Sequence, residues 1–287
     1  MNDLSPSEVA RGDALAPHVR TVPTPDGYRG AYGRGEPLIG ERYAASVDGA
    51  IASLRADGLA PAAFFLDTLL ASSGVVIPPA GYLSAVFDRV RAAAGLCVAD
   101  EVQAGFGRTG DHMWGFEAHG VVPDIVTLGK PIGNGHPIAA VVTRLEIVAS
   151  LASRAEFFST FGGNPVSCAA GLAVLDVIER EGLRQNAQRV GAHLRAGIEA
   201  IAQDRSRIGD VRGTGLFLGV ELVRDRITLE PAAEEARTVI NRMRDDSVLI
   251  GREGPLGNVS KIRPPLVFSV ANADRLLDAL DRALRAI

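Results

Sequence analysis

The sequence predicts an α/β protein, with a large domain built on a mostly parallel sheet and a smaller α+β domain after it. Three observations predict it. Between about residues 60 and 182, short apolar runs alternate with amphipathic helical segments, the pattern of strands buried on both faces and joined by helical crossovers. Two of these runs end in an acid, at Asp67 and Asp100, and a third stops at Gly129-Lys130. From about residue 183 the helices are separated by alternating or very short strand segments. The expected division is an irregular arm over 1–40, a large domain over 41–182 and a small domain over 183–287.

Taken in order, the arm is rich in Pro and Gly, with turn signals at Pro23-Thr24-Pro25-Asp26-Gly27 and Gly33-Arg34-Gly35. Arg42 to Asp57 has a helical pattern. Ala62–Asp67 reads as a buried strand, and Tyr82–Ala94 as a helix with Leu83, Val86, Phe87 and Val90 on one face. Gly95–Asp100, Asp124–Leu128 and Ile138–Val142 are the next strands. Asn164 suits an N-cap, Pro165 a first helical position and Gly182 a stop, so a long helix is expected between them. The following helix carries Val190, Leu194, Ile198 and Ile201 on one stripe. Leu216–Leu222 alternates like a strand, Ala232–Asp245 is helical, and short strands are expected around Val248–Ile250 and Lys261–Phe268. The last helix carries Leu276, Leu277, Leu280 and Leu284.

Composition narrows the function. At 287 residues, 47% hydrophobic and 22% charged, the chain has material for a sizeable core and is not a disordered, collagenous or disulfide-framework sequence. A net charge of −4 gives no electrostatic case for nucleic acid or an anionic membrane, and no run reaches the roughly 20 apolar residues of a membrane span. The start, Met1-Asn2-Asp3-Leu4-Ser5-Pro6, has neither the basic nor the apolar region of a secretory signal. Cys97 and Cys168 lie in apolar runs and read as reduced core residues, so a cytoplasmic protein is expected.

One count directs the search for chemistry. Of 30 basic residues only Lys130 and Lys261 are lysine, and a guanidinium cannot replace an amine in a Schiff base. Several alternatives fail. Before Gly129-Lys130, the position of the first phosphate-loop glycine is Asp124, and Pro131 follows the lysine. Gly213–Gly219 has one residue too many for a dinucleotide fingerprint and runs into a strand. No Gly-x-Ser-x-Gly elbow occurs, and the five histidines lack metal-ligand spacing. His193, beside Leu194 on an apolar stripe, reads as structural, and His136 as a loop residue after a Gly-rich turn.

Three segments remain. Asp100-Glu101-Val102-Gln103 follows a buried strand, at the end where open α/β sheets bind ligands. A carboxylate there suits a protonated pyridine nitrogen; taken alone, Asp100 reads more simply as an acid capping the next turn. Gly129-Lys130-Pro131 puts an amine on the same edge, between glycines that permit close backbone approach. The plainer reading is a surface lysine. Ser159-Thr160-Phe161-Gly162-Gly163-Asn164-Pro165 offers hydroxyls and amides ahead of a helix, which suits a phosphate or simply a cap.

Together with Gly209-Asp210-Val211-Arg212-Gly213 and Lys261-Ile262-Arg263-Pro264-Pro265, these segments closely resemble the class III pyridoxal-phosphate-dependent aminotransferases of fold type I, from about Val22 to the C-terminus. The resemblance implies pyridoxal 5′-phosphate as cofactor, Lys130 as the Schiff-base lysine and Asp100 as the pyridinium partner. It implies that Val102 packs on the ring, Gln103 bonds the ring hydroxyl, and Thr160 reaches the cofactor phosphate of the neighbouring subunit of a homodimer. Arg263 would hold a substrate carboxylate, with Asp67 beside it. Pro25-Asp26-Gly27-Tyr28-Arg29-Gly30 points to the branch of alanine–glyoxylate-type aminotransferases and ethanolamine-phosphate phospho-lyases. The expected function is transfer of an amino group between an amine or amino acid and a keto or aldehyde acceptor. The alternatives are a phospho-lyase on a phosphorylated amino alcohol, or a non-catalytic remnant needing an N-terminal partner.

Two departures from the family pattern stand out. Family members usually have glutamate where this chain has Asp67, a side chain about 1.5 Å shorter, so a longer or water-bridged pair with Arg263 is expected. The family's sizeable segment before the Pro25-Asp26 region, with a Gly-Ser phosphate cup and a ring-stacking aromatic, has no counterpart here, and a separate N-terminal fragment is an expected partner.

Overall fold

Each apolar run of the first half becomes a strand, and the strands lie side by side in chain order. The computed structural model describes residues 15–287; the start read for a secretory signal and the first part of the arm lie outside the described residues. Strands β1 (Ala63–Asp67), β2 (Leu96–Asp100) and β3 (Ile125–Leu128) are parallel neighbours. Helix α3 (Tyr82–Ala92) connects β1 to β2 and buries Leu83, Val86, Phe87 and Val90, the face its spacing predicts. They pack with Tyr43 of α1 (Ile39–Ala44) and Val47 and Ile51 of α2 (Ser46–Ala56), two helices where one was expected.

The fourth strand, β4 (Ala140–Thr143), runs antiparallel to β3. The segment between Leu128 and Ala140 holds only a short 3₁₀ turn, Lys130–Gly133, too little for a parallel crossover, so the chain folds back along the sheet edge. Helix α4 (Leu145–Ala152), which the sequence reading missed, follows, and α5 (Pro165–Arg180) starts as expected: Asn164 Oδ1 accepts from Ser167 N at 2.9 Å. Cys97 is buried, but Cys168 is exposed, as are Val166 and Leu172 of the same helix. An apolar neighbourhood in sequence did not make it a core residue.

After α6 (Leu183–Asp204), strands β5 (Ile208–Thr214), β6 (Phe217–Leu222), β7 (Gly251–Glu253) and β8 (Val259–Ile262) form an antiparallel sheet in the order β5-β6-β8-β7. The run that resembles a dinucleotide fingerprint is the β5–β6 hairpin, with Gly215 at φ 53° in its turn. Val190, Leu194 and Ile198 of α6, Val239 and Met243 of α7 (Ala233–Asp245), and Leu276 and Leu280 of α8 (Val270–Leu284) close a second core over this sheet. His193 lies off the stripe, facing Asp274 at 2.6 Å. Among the described residues no helix is long and apolar enough to cross a membrane.

Segment 26–34 docks on the second sheet through charge. Arg34 bonds Asp210 through two nitrogens, each at 2.6 Å, and Arg29 pairs with Glu221 and donates to Leu229 O at 2.6 Å. Between the two acids, Arg212 donates to Asp210 at 3.0 Å, to Glu221 at 2.5 Å and to Gly74 O at 2.8 Å. Burial pushes the Asp210 carboxyl up, but Arg34 and Arg212 outweigh it and hold it below the usual carboxylate range. A depressed folded-state pKa contributes stability that is present above about pH 4 and lost as pH falls through the folded value. Asp210→Asn is expected to cost about 1–3 kcal/mol near neutral pH, and the difference from wild type should shrink on acidification. Thermal melts from about pH 7 to 3 check this.

Candidate active site

The carboxyl ends of the three parallel strands carry the candidate residues. In register, Asp67 stands opposite Asp100, and Asp100 opposite Thr127; Gly129 and Lys130 leave β3 just beyond. The interior of β2 is fully buried at Cys97, Val98 and Ala99, which fixes its last residue at the sheet edge. Asp100 Oδ1 accepts from Val102 N at 3.0 Å and from Thr127 Oγ1 at 3.2 Å. Its second oxygen, Oδ2, receives no hydrogen bond from the described residues. Thr127 was missed in the sequence, because only the parallel register brings it opposite Asp100.

Lys130 is exposed and takes a left-handed backbone, φ 38°, where a lysine costs about 1 kcal/mol or more. A Cβ at Gly129 would touch both methyls of Val102 at 3.5 Å, so the Val102 side chain lies against the peptide that leads into Lys130. Gln103 Oε1 accepts from Arg263 Nη1 at 2.7 Å, which brings the end of β8 to the strand edge. Asp100, Val102, Gln103, Lys130 and Arg263 are thus linked by contact or by strand register.

Asp67 and Thr160 stand apart from this group. The Asp67 carboxylate caps its own turn, accepting from Leu69 N at 3.0 Å and Ala71 N at 2.9 Å, and makes no ion pair with Arg263. Burial pushes its carboxyl up, the two amide bonds pull it down, and the charges of Asp100 and Lys130 act on it in opposite senses. A side chain too short to reach outward satisfies the nearest amides instead. Thr160 lies in an exposed segment with Phe157, Phe158 and Phe161, held locally by Ser159 Oγ accepting from Gly162 N at 3.0 Å. No hydrogen bond joins it to the strand edge.

Two supports went unread in the sequence. Glu101 is fully buried and accepts from Gly115 N at 2.7 Å, Phe116 N at 3.0 Å and Thr68 Oγ1 at 3.1 Å, tying the loops after β1 and β2 to the 3₁₀ turn Gly115–His119. Burial pushes its carboxyl up. His136 Nε2 meets Ser167 Oγ at 2.8 Å and ties the Gly-rich turn to the first turn of α5.

Comparison with known proteins decides the family. The model of class-III aminotransferases matches residues 10–284. The chain belongs to this family of pyridoxal-phosphate-dependent enzymes. It is 48% identical over 260 residues to the mitochondrial alanine–glyoxylate aminotransferase 2 homolog 2 of Arabidopsis thaliana, covering 91% of this chain and 53% of the relative. It is 42% identical over 227 residues to mitochondrial alanine–glyoxylate aminotransferase 2 of Homo sapiens, covering 78% and 44%. A phospholyase from Arthrobacter, solved in complex with phosphoethanolamine, superposes with a TM-score of 0.91 at 45% identity, over 96% of this chain and 65% of that one. The aminotransferase-family chain therefore spans about half the length of the curated relatives it matches.

These relatives correct the cytoplasmic expectation. Two of them are mitochondrial proteins, so reduced cysteines and an unremarkable start do not assign a compartment within this family.

The residues present fit the ring end of pyridoxal phosphate. Among the described residues Asp100 Oδ2 is an acceptor without a partner, Val102 is an apolar side chain packed against Gly129, and Lys130 is an amine on the same edge. The phosphate end is not gathered at this edge by the described residues, since Thr160 lies on an exposed segment apart from it.

Proposed function

We propose that this chain carries the lysine-bearing half of an aminotransferase active site and moves an amino group between an amine or amino acid and a carbonyl acceptor. The observation that carries the reading is the placement of Asp100 and Lys130 at the carboxyl ends of adjacent parallel strands, with the Val102 side chain against Gly129. When bound, pyridoxal phosphate supplies an aldehyde that condenses with amines and a protonated ring that takes up electron density from the neighbouring carbon. Asp100 would keep the proton on the ring nitrogen through Oδ2. Val102 would lie on the ring face, and the Gln103 amide nitrogen would serve the ring hydroxyl while its oxygen holds Arg263. Lys130 Nζ would carry the proton to and from the substrate carbon as general base and acid.

Arg263 would bind a substrate carboxylate, and Thr160 would serve the cofactor phosphate of a second copy in a homodimer. Asp67, spent on its own turn, would act as a positioning residue for the loop after β1. The rest of the phosphate cup would come from outside the described residues, either as further chain or as a separate N-terminal fragment. The proposed domain division remains an arm, a cofactor domain to about residue 182 and a small domain after it.

A phospho-lyase is the second reading, favoured by the likeness to the Arthrobacter phospholyase and its bound phosphoethanolamine. Both are tested by loading the purified chain with pyridoxal phosphate and offering either alanine with glyoxylate or phosphoethanolamine. Pyruvate and glycine mark the transaminase; inorganic phosphate and ammonia mark the phospho-lyase. Neither product, from protein that has captured cofactor, would overturn both readings in favour of a non-catalytic chain.

A further inference from the structure

Lys130 leaves β3 with a left-handed backbone, φ 38°, and Asn134 repeats that conformation at φ 44°. Asparagine visits this region readily and lysine does not. Such a backbone persists only where its surroundings fix it. Three bonds within the turn contribute: Ile132 N donates to Gly129 O and Asn134 N to Pro131 O, each at 3.1 Å, and His136 N donates to Gly133 O at 2.9 Å. All three are local, and the chain reverses here into antiparallel β4. Among the described residues, one side-chain hydrogen bond ties residues 129–138 to another element: His136 Nε2 meets Ser167 Oγ at 2.8 Å. Ser167 is buried in the first turn of α5 and is itself fixed twice. Its amide donates to Asn164 Oδ1 at 2.9 Å, and its Oγ accepts from Asn164 Nδ2 at 2.9 Å. A Cβ at Gly171 of α5 would stand 3.6 Å from Ile132 O, so the helix lies directly against the turn.

We infer that His136 and Ser167 are positioning residues for Lys130: their hydrogen bond anchors the strained turn to α5 and so keeps the lysine amine at the strand edge. The inference rests on the reading of Lys130 as the amine that captures cofactor, and it names what holds that amine in place. Neither side chain would touch the cofactor; both act through the backbone of 130–136. The anchor has a firm end, because Ile178 of the same 16-residue helix is buried with Leu128 of β3 and with Phe106. Turn, helix and strand therefore close on one another, with the tether as the polar link. Without it, Lys130 gains by relaxing out of the left-handed region, and its amine leaves the edge where Asp100 and Val102 stand.

The test uses the full chain and two readouts. Hydrogen exchange without cofactor follows the amides of Ile132, Asn134 and His136, with the amides of β3 as internal reference. Capture is the rate at which pyridoxal phosphate and borohydride label Lys130, with Lys261, paired to Glu253 in the other sheet, as reference. His136→Phe keeps a ring and removes the bond. It should speed exchange in the turn and slow labelling of Lys130, each by about threefold to tenfold, and leave both references unchanged. Ser167→Ala cuts the same tether from the helix side, should act in the same direction, and decides the matter if His136→Phe fails to fold. His136→Gln can still reach the hydroxyl and should recover much of both effects, which mere loss of packing would not allow. Unchanged exchange in the turn, unchanged labelling of Lys130 despite faster exchange, or equal behaviour of His136→Gln and His136→Phe would overturn the inference while leaving the reading of Lys130 in place. Equal labelling of both lysines in the wild-type chain would overturn that reading, and the inference with it.

Discussion

Lys130→Ala is expected to lower the proposed turnover by at least about 10⁴-fold while leaving the fold intact. The size of the effect follows from there being no substitute. The chain has two lysines, and Lys261 lies in β8 of the other sheet, with its amine paired to Glu253. No arginine can replace a condensing amine. Lys130 is exposed and begins a short turn, so its loss takes away little packing, and a surface change of this kind shifts stability by about 0.5 kcal/mol or less. Rates and melting temperatures measured side by side check both halves. A variant retaining more than about a hundredth of wild-type turnover would place the chemistry elsewhere.

Asp100→Asn is the second large effect, and its character differs. The amide keeps the shape and can still accept from Val102 N and Thr127 Oγ1 at 3.0 and 3.2 Å. It loses the charge that would hold a proton on the cofactor ring. Turnover should fall by about 10²- to 10⁴-fold, while Lys130 remains able to capture cofactor. An equal loss of capture and turnover would make Asp100 a structural cap only, the plainer reading of its place at a strand end. Thr127→Val, which removes one of the two bonds to Oδ1, should give a smaller loss in the same direction.

The strands that position this edge were legible because burial on both faces writes itself as uninterrupted apolar runs, and the acids ending two of them marked the ligand-binding edge. The amphipathic helices were equally legible, α3 and α6 burying the faces their spacing predicts. Direction was not legible. The return of β4 depends on how little structure the segment after Lys130 contains, which no local apolar pattern records. Helix α4 is only eight residues long, mostly apolar, and has no buried residue.

In the site, residue types were legible and partners were not. Asp67 could be named but not its choice of Leu69 and Ala71 amides, since that depends on side-chain reach. His136 looked like a loop residue, and only the packing of α5 on the turn after β3 brings it to Ser167. Register likewise brings Thr127 to Asp100 across 27 residues of sequence.

The central claim is that Lys130 is the residue that captures pyridoxal phosphate. Its most direct test is to add the cofactor to the purified chain, reduce with borohydride and map the labelled peptide. The account predicts a label on the peptide containing Gly129-Lys130-Pro131, little on Lys261, and none at that position in Lys130→Ala. Equal labelling of both lysines, or labelling of Lys261 alone, would contradict it.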